Sequence, residues 1–193
     1  MNRRIFSATL AAALLLTGVR AFAQPSTWTI DPAHSQSDFQ VRHMGISNVR
    51  GSISGIKGTI VWDDADVSKS SVEATLDANT VNTTVDARDK HLKSADFFNV
   101  AQYPTITFKS TAVTRANGKL QVIGNLTLAG VTKQVTLDVD GPVPPQKGMG
   151  GKMVTGFSAT GVISRSQFNF GSKFPSAMLS DEVKFTLDVE ANQ

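Results

Sequence analysis

The chain contains no cysteine, and this absence removes several kinds of chemistry at once. Without thiols the protein forms no disulfide, no thiolate zinc site, no cysteine nucleophile and no lipid-modified N-terminal cysteine. An excess of charge of one sign is also missing from most of the chain. Arg3, Arg4 and Arg20 are three of the 19 basic residues, and the first 23 residues contain none of the 16 acids. The remainder is therefore neutral, which disfavours nucleic acid as a partner.

Long hydrophobic runs are scarce too. The one near the N-terminus, residues 5–19, has about fifteen residues, whereas a membrane span needs roughly 20. It follows a basic head and precedes Ala21-Phe22-Ala23, an A-x-A cleavage sequence. This order is typical of a secretory signal peptide. We therefore expect cleavage after Ala23, a periplasmic product of residues 24–193 in a single domain, and no transmembrane segment in that mature protein.

The mature sequence alternates apolar and polar residues with a period of two, which is the pattern of a half-buried strand. Asn117-Gly118 and Ala129-Gly130 are typical of hairpin turns. The alternation and the turns together predict about eight strands, which either a β-sandwich or a closed up-and-down barrel accommodates. Glycines inside the strand-like segment 47–62 favour the barrel, because a curved sheet needs bends. The alternation is clearest in the segments 36–43, 72–78, 120–128, 135–139 and 182–190.

A charged segment from Thr84 to Lys93 departs from this alternation. Asp86 and Lys90 are four residues apart, as are Asp89 and Lys93, and such spacing supports a helix. Thr84 is the predicted N-cap. The sequence therefore predicts one short helix between strands of an otherwise all-β fold.

The common signatures of catalytic and metal sites are missing. His34, His43 and His91 are far apart in sequence and lack the spacing of a helical zinc site. A triad of Ser35, Asp38 and His43 would lack the G-x-S-x-G turn of a nucleophilic serine. We therefore predict no catalytic residue, no metal and no cofactor.

Phenylalanine is common, with nine of the eleven copies after residue 23. Several of them fall outside the clean strand segments. Such residues either fill a barrel as core or line a pocket for an apolar ligand, and the residue pattern alone supports both readings.

Several motifs in order resemble the YceI-like family. The resemblance extends from about residue 27 to residue 190, nearly the whole mature chain. The motifs are Trp28-Thr29-Ile30-Asp31-Pro32-Ala33-His34-Ser35, Phe39-x-Val41-x-His43, the stretch from Arg88-Asp89-x-His91-Leu92 through Asp96-Phe97-Phe98 to Tyr103-Pro104-x-Ile106-x-Phe108, Gly124–Lys133, and Leu179–Val183. The chain departs from the family pattern at Gly51-Ser52-Ile53, where phenylalanine is expected after glycine, and at Gln167 and Asn169, where the family has aspartate and glycine.

The resemblance implies a lipocalin-like, extended eight-stranded antiparallel up-and-down barrel. It also implies a long apolar tunnel for a polyisoprenoid or another long-chain lipid or amide, and no established catalytic residues. We therefore expect a periplasmic, non-catalytic carrier of an isoprenoid or fatty-acyl lipid. An extracytoplasmic enzyme acting on a lipid ester or prenyl diphosphate is the alternative, and a homodimer is an open alternative for the assembly.

The predicted ligand-binding residues share apolar faces or motif positions. The residues expected to line the ligand path are Phe39, Val41, His43, Phe97, Phe98, Phe108, Phe168 and Phe170. The residues expected to contact a polar head group are Arg88, His91 and Arg165.

Overall fold

A computed structural model describes residues 24–193, so the predicted signal peptide lies outside the described residues. The described part of the chain forms eleven strands and one short α-helix. The strands are β1 (Ser26–Ile30), β2 (Gln36–His43), β3 (Ser47–Ile53), β4 (Lys57–Trp62), β5 (Ser71–Asp77), β6 (Thr105–Ala116), β7 (Lys119–Leu128), β8 (Val131–Asp140), β9 (Gln146–Lys147), β10 (Met153–Ser164) and β11 (Leu179–Asn192); helix α1 (Asp86–Leu92) lies between β5 and β6.

The first four strands behave as two long strands, each interrupted once. β1 and β2 both run antiparallel to β11 and lie end to end along it, with Ile30 opposite Ala191 and Gln36 opposite Asp188. β4 pairs with β1, and β3 pairs with β2, so these two also lie end to end. Together they occupy two positions in the sheet.

The remaining strands complete a ring of eight positions. β4 is followed around the ring by β5, β6, β7, β8 and β10, each antiparallel to its neighbour. β10 then pairs with β11 over nearly its full length, from Val154 opposite Asn192 to Ser164 opposite Glu182. The predicted closed barrel is therefore confirmed, and the sandwich alternative is wrong.

Both predicted hairpin turns are confirmed as well. Asn117 and Gly118 have φ angles of 52° and 77°, and Ala129 and Gly130 have 47° and 79°. Two consecutive positive φ angles characterise the type I′ turn, whose twist matches that of the strands it joins. These turns set the registers of β6–β7 and β7–β8.

The helix begins later than predicted, and a different residue organises its start. Its N-cap is Val85, which makes no side-chain cap bond, while Thr84 has a φ of 65°. Asp89 instead accepts hydrogen bonds from the Thr83 amide and hydroxyl groups, at 2.8 and 2.5 Å. The predicted cap at Thr84 is thus wrong, because the side chain of Asp89 accepts its hydrogen bonds from Thr83, one residue before Thr84.

The helix lies where the sheet opens. β3 pairs with β2 along one edge, and on its other edge a single bridge joins Ser52 to Asn82. Helix α1 begins four residues after Asn82, and its residues Arg88, His91 and Leu92 face the barrel interior. Within residues 24–193 no helix is long and apolar enough to cross a membrane.

We predict that Gly58→Ala destabilises the barrel. A Cβ at Gly58 would overlap the Glu73 carbonyl oxygen and lie 2.8 Å from Ala74 Cα, so the β4–β5 backbone would have to separate. The expected loss is about 2 kcal/mol or more of unfolding free energy, measured by urea unfolding. Gly156→Ala is the matched control, because its Cβ would have only ordinary contacts at 3.7 Å. Equal stability of the two variants would contradict the prediction.

Candidate ligand-binding cavity

The inward faces of the barrel strands enclose a cavity of about 490 Å³. Alternation places apolar side chains on its wall all around the ring, and β11 alone contributes Val183, Phe185, Leu187 and Val189. Small-molecule sites typically occupy about 300–1,000 Å³. The barrel is therefore not filled by its own side chains.

The two ends of the cavity differ in their exposure to solvent. At one end, which we call the closed end, Trp62 and Leu120 are buried and Phe157 packs edge-on against Trp62 with ring centroids 5.9 Å apart. At the opposite end His43 and Met178 both line the cavity and are exposed to solvent. Access is therefore from the end that carries the β2–β3 turn.

A group of aromatic rings forms the wall near the open end. Phe97 stacks on Phe174 with ring centroids 5.3 Å apart, and Phe170 packs edge-on against both Phe97 and Phe98, at 5.4 and 4.7 Å. The Gly171 amide donates to the carbonyl oxygen of Asp96, at 3.0 Å, and so joins the two loops that carry these rings. The sequence indicated three of the four rings; Phe174 was not among the predicted site residues because it lies neither on an alternating strand face nor in a family motif.

Phe39 and Phe108 line the cavity further along the wall. Each ring lies against a glycine of the neighbouring strand, Gly51 for Phe39 and Gly124 for Phe108, at positions where a Cβ would overlap the ring. The glycines let the rings lie flat against the sheet and leave the centre of the barrel open. Val41 lies beside Phe39 on the same inward face.

Arg88 reaches the cavity from helix α1, but part of its guanidinium group is already used. Its Nε donates to the Thr83 hydroxyl and one terminal nitrogen donates to the Thr83 carbonyl, both at 2.7 Å. Asp89 holds the same threonine. Arg88 therefore fixes the helix over the gap beside β3 as well as facing the cavity.

His91 lies at the open end between a carboxylate and the aromatic rings. Its Nε2 is 3.0 Å from Asp96 Oδ2, and its ring packs edge-on against Phe97 and Phe174. The Lys173 ammonium, and to a lesser degree His91, holds the pKa of Asp96 below its ordinary value. Asp96 is thus an anion that fastens the helix to the loop carrying Lys173.

Arg165 has a structural role, contrary to the prediction that it contacts a head group. Only 3% of the residue is exposed, although it borders the cavity. Its five N–H groups donate to five main-chain carbonyl oxygens, those of Phe170, Gly171, Phe174, Leu179 and Ser180. A guanidinium group has five donors, so none remains for a ligand.

Phe168 is the one predicted lining residue that the structure does not place on the wall. It is 1% exposed, in the short 3₁₀ turn Arg165–Phe168. β8 and β10 pair only through residues 138–140 and 158–160, and Phe168 fills the seam that opens beyond them, near Val135 and Ile163. The other ten predicted residues do border the cavity, and for all of them except Arg165 contact with a ligand stays a prediction.

The serine triad considered from the sequence is not assembled. The Ser35 hydroxyl bonds to the main chain of Glu190, while His43 lies at the open end of the cavity. Asp38 accepts hydrogen bonds from the Gln36 amide on the outer face of β2. The three side chains therefore have separate environments.

A surface cluster of His34, Asp31 and Glu190 escaped the sequence analysis because β11 brings Glu190 to the β1–β2 turn. His34 Nδ1 lies 2.8 Å from Asp31 and 3.7 Å from Glu190. The hydrogen bond between His34 and Asp31 lowers the pKa of Asp31 and raises that of His34. Asp31 also accepts from the Ala33 amide, so the group serves to fix the turn.

A protein-family model described as the YceI-like domain matches residues 28–191 of this chain. The chain belongs to the YceI-like family. Protein YceI of Salmonella arizonae is 37% identical over 195 aligned residues, which cover all of this chain and 99% of that protein. The resemblance inferred from the motifs is therefore confirmed.

Solved structures of other proteins share the barrel. A Campylobacter jejuni YCEI protein aligns with a TM-score of 0.69 and 35% identity, covering 79% of this chain and 89% of that one. A Saccharophagus degradans protein described as a polyisoprenoid binding domain aligns with a TM-score of 0.62 at 16% identity, covering 86% and 97%. The second likeness establishes the fold alone.

We predict that Arg165→Lys destabilises the protein and loosens the loop at the open end. Lysine has three donors for five carbonyl oxygens, so at least two buried acceptors lose a partner, at a cost of about 2–4 kcal/mol in unfolding free energy. Urea unfolding measures the loss, and hydrogen exchange of residues 166–178 locates it. A variant with unchanged stability and weakened ligand binding would instead support a head-group role.

Proposed function

We propose that this YceI-like protein is a periplasmic, non-catalytic carrier that holds a long-chain apolar ligand, a polyisoprenoid or a related lipid or amide, in the barrel cavity. The observation that carries the proposal is an open cavity of about 490 Å³ whose wall is made almost entirely of aliphatic and aromatic side chains. The polar groups of the wall are confined mainly to the helix and the open end. A ligand with an apolar chain and a small polar end matches that distribution.

Burial of the ligand's apolar tail dominates the expected binding energy. Each buried methylene contributes about 0.8 kcal/mol, so a dozen methylenes contribute roughly 10 kcal/mol before the costs of association. A neutral hydrogen bond adds only about 1 kcal/mol. Because the donors of Arg165 are used by main-chain carbonyls, the head group has few charged partners, and we infer that affinity follows chain length more than head-group charge.

The comparisons support the ligand class. The solved Saccharophagus degradans barrel is described as a polyisoprenoid binding domain. The motif of a signal peptide in residues 1–23 supports export to the periplasm. The separation of Ser35, Asp38 and His43 favours a carrier over a serine hydrolase.

We predict that Ala74→Phe lowers the affinity for a long-chain ligand at least tenfold. Ala74 faces the cavity, and a phenyl group there would occupy space that the ligand's apolar tail needs. Displacing only two methylenes costs about 1.6 kcal/mol, which is roughly tenfold in Kd. The measurement is a titration of the mature protein with a fluorescent polyprenol and, separately, a fluorescent fatty acid.

Thr75→Phe is the matched control, since the next residue along β5 is exposed on the outer face. It introduces the same side chain outside the cavity and is expected to leave affinity unchanged. Equal affinities of the two variants would contradict binding in the cavity. Release of products from a lipid ester or prenyl diphosphate by the unaltered protein would support the enzymatic alternative.

A further inference from the structure

The open end of the cavity carries a group of exposed apolar side chains. Ile46 is 74% exposed and Met44 is 56% exposed, both in the tight turn between β2 and β3. Met178, 46% exposed, lies beside them, because the Met44 amide donates to the Met178 carbonyl oxygen at 2.8 Å. We call Met44, Ile46 and Met178 the rim residues.

The rim residues are continuous with the cavity wall. Met178 itself lines the cavity, and so do its neighbour Leu179 and His43, which precedes Met44. An apolar surface therefore leads from the outermost tip of the β2–β3 turn into the cavity. A lipid tail that enters the cavity along this surface would stay in contact with apolar groups.

Two arginines lie directly behind the rim, and the acids opposite Arg42 at the start of β11, Asp181 and Glu182, bond to Ser166 and Lys184. Arg42 and Arg50 are exposed on the outward face of the β2–β3 hairpin, and among the described residues neither lies in an ion pair. Arg42 donates to the neutral amide oxygen of Asn48, at 3.3 Å. Asp38, the acid on the same face of β2, lies four residues further from the tip and accepts from Gln36. Apolar tips backed by guanidinium groups that have no ion-pair partner match the acyl boundary and phosphates of an anionic bilayer.

We propose that the rim is a membrane-docking site. Met44, Ile46 and Met178 insert into the boundary of an anionic phospholipid bilayer, while Arg42 and Arg50 contact lipid phosphates. The open end of the cavity is then placed at the acyl region, and the ligand moves between bilayer and barrel without crossing water. This inference rests on the proposed carrier function and names the surface with which the carrier exchanges ligand.

A bilayer fits this surface better than a second copy of the chain. Three side chains on one turn and one loop fall well short of the about 800 Å² per partner that a stable protein interface buries. Two copies meeting at their rims would also bring their Arg42 and Arg50 groups together. Shallow insertion needs neither a large area nor a complementary shape.

The test compares Ile46→Asp with Met149→Asp in the mature protein. Met149 is 99% exposed in the loop between β8 and β10, near Lys147 and Lys152, at the closed end of the barrel. Each substitution replaces an exposed apolar side chain with the same acid beside basic residues. The matched pair therefore separates docking at the rim from general attraction to an anionic surface.

Three quantities are measured for each variant. They are binding to phosphatidylcholine vesicles with and without phosphatidylglycerol, the rate at which a fluorescent polyprenol leaves the vesicles for the protein, and the affinity for the same polyprenol in detergent solution. We expect Ile46→Asp to lower vesicle binding and transfer rate at least tenfold with solution affinity unchanged. Met149→Asp is expected to match the unaltered protein in all three.

Arg42→Gln with Arg50→Gln is expected to abolish the preference for phosphatidylglycerol. The docking proposal is overturned if Ile46→Asp binds vesicles as well as the unaltered protein does, if Met149→Asp has the larger effect, or if the rim substitutions change only the oligomeric state. Failure of the carrier function looks different, since no variant would then bind polyprenol in detergent solution.

Discussion

The barrel depends on the two-sided pairing of β11. This strand is 14 residues long, pairs with β10 along one edge, and holds both β1 and β2 along the other. Without it the ring has no closure and the interrupted first strand has no common partner. Because the inward face of β11 reads Val183, Phe185, Leu187 and Val189, the strand that closes the ring also forms one full side of the cavity.

Arg165 connects that closure to the open end. Two of its five acceptors are the carbonyl oxygens of Leu179 and Ser180, where β11 begins, and the other three belong to the loop that carries Phe170 and Phe174. Desolvating a guanidinium group is costly, and here five carbonyl dipoles offset that cost. One side chain thereby sets both the start of the closing strand and the position of the aromatic wall.

The strand faces were predictable from sequence because alternation is local. A residue such as Phe39 or Val41 must face the cavity once β2 is a strand with one buried side. The fate of residues outside strands was not predictable. Phe168 and Phe170 are two positions apart in an irregular segment, yet one fills the seam between β8 and β10 and the other faces the ligand space.

The role of Arg165 was likewise hidden, since its partners are main-chain carbonyls that no side-chain motif reveals. The surface cluster of His34 and Glu190 arises from a pairing between residues more than 150 positions apart. Strand alternation therefore predicted the wall of the cavity, whereas tertiary contacts decided which polar side chains already have hydrogen-bond partners within the protein.

The central claim is that the cavity holds one long apolar ligand. The most direct test is native mass spectrometry of the mature protein purified from periplasm without detergent, followed by extraction and identification of the bound compound. We predict a discrete added mass, at about one ligand per protein, that extracts as a prenyl or acyl chain. A protein that is bare, and that also takes up neither polyprenol nor fatty-acyl lipid when these are added, would contradict the account.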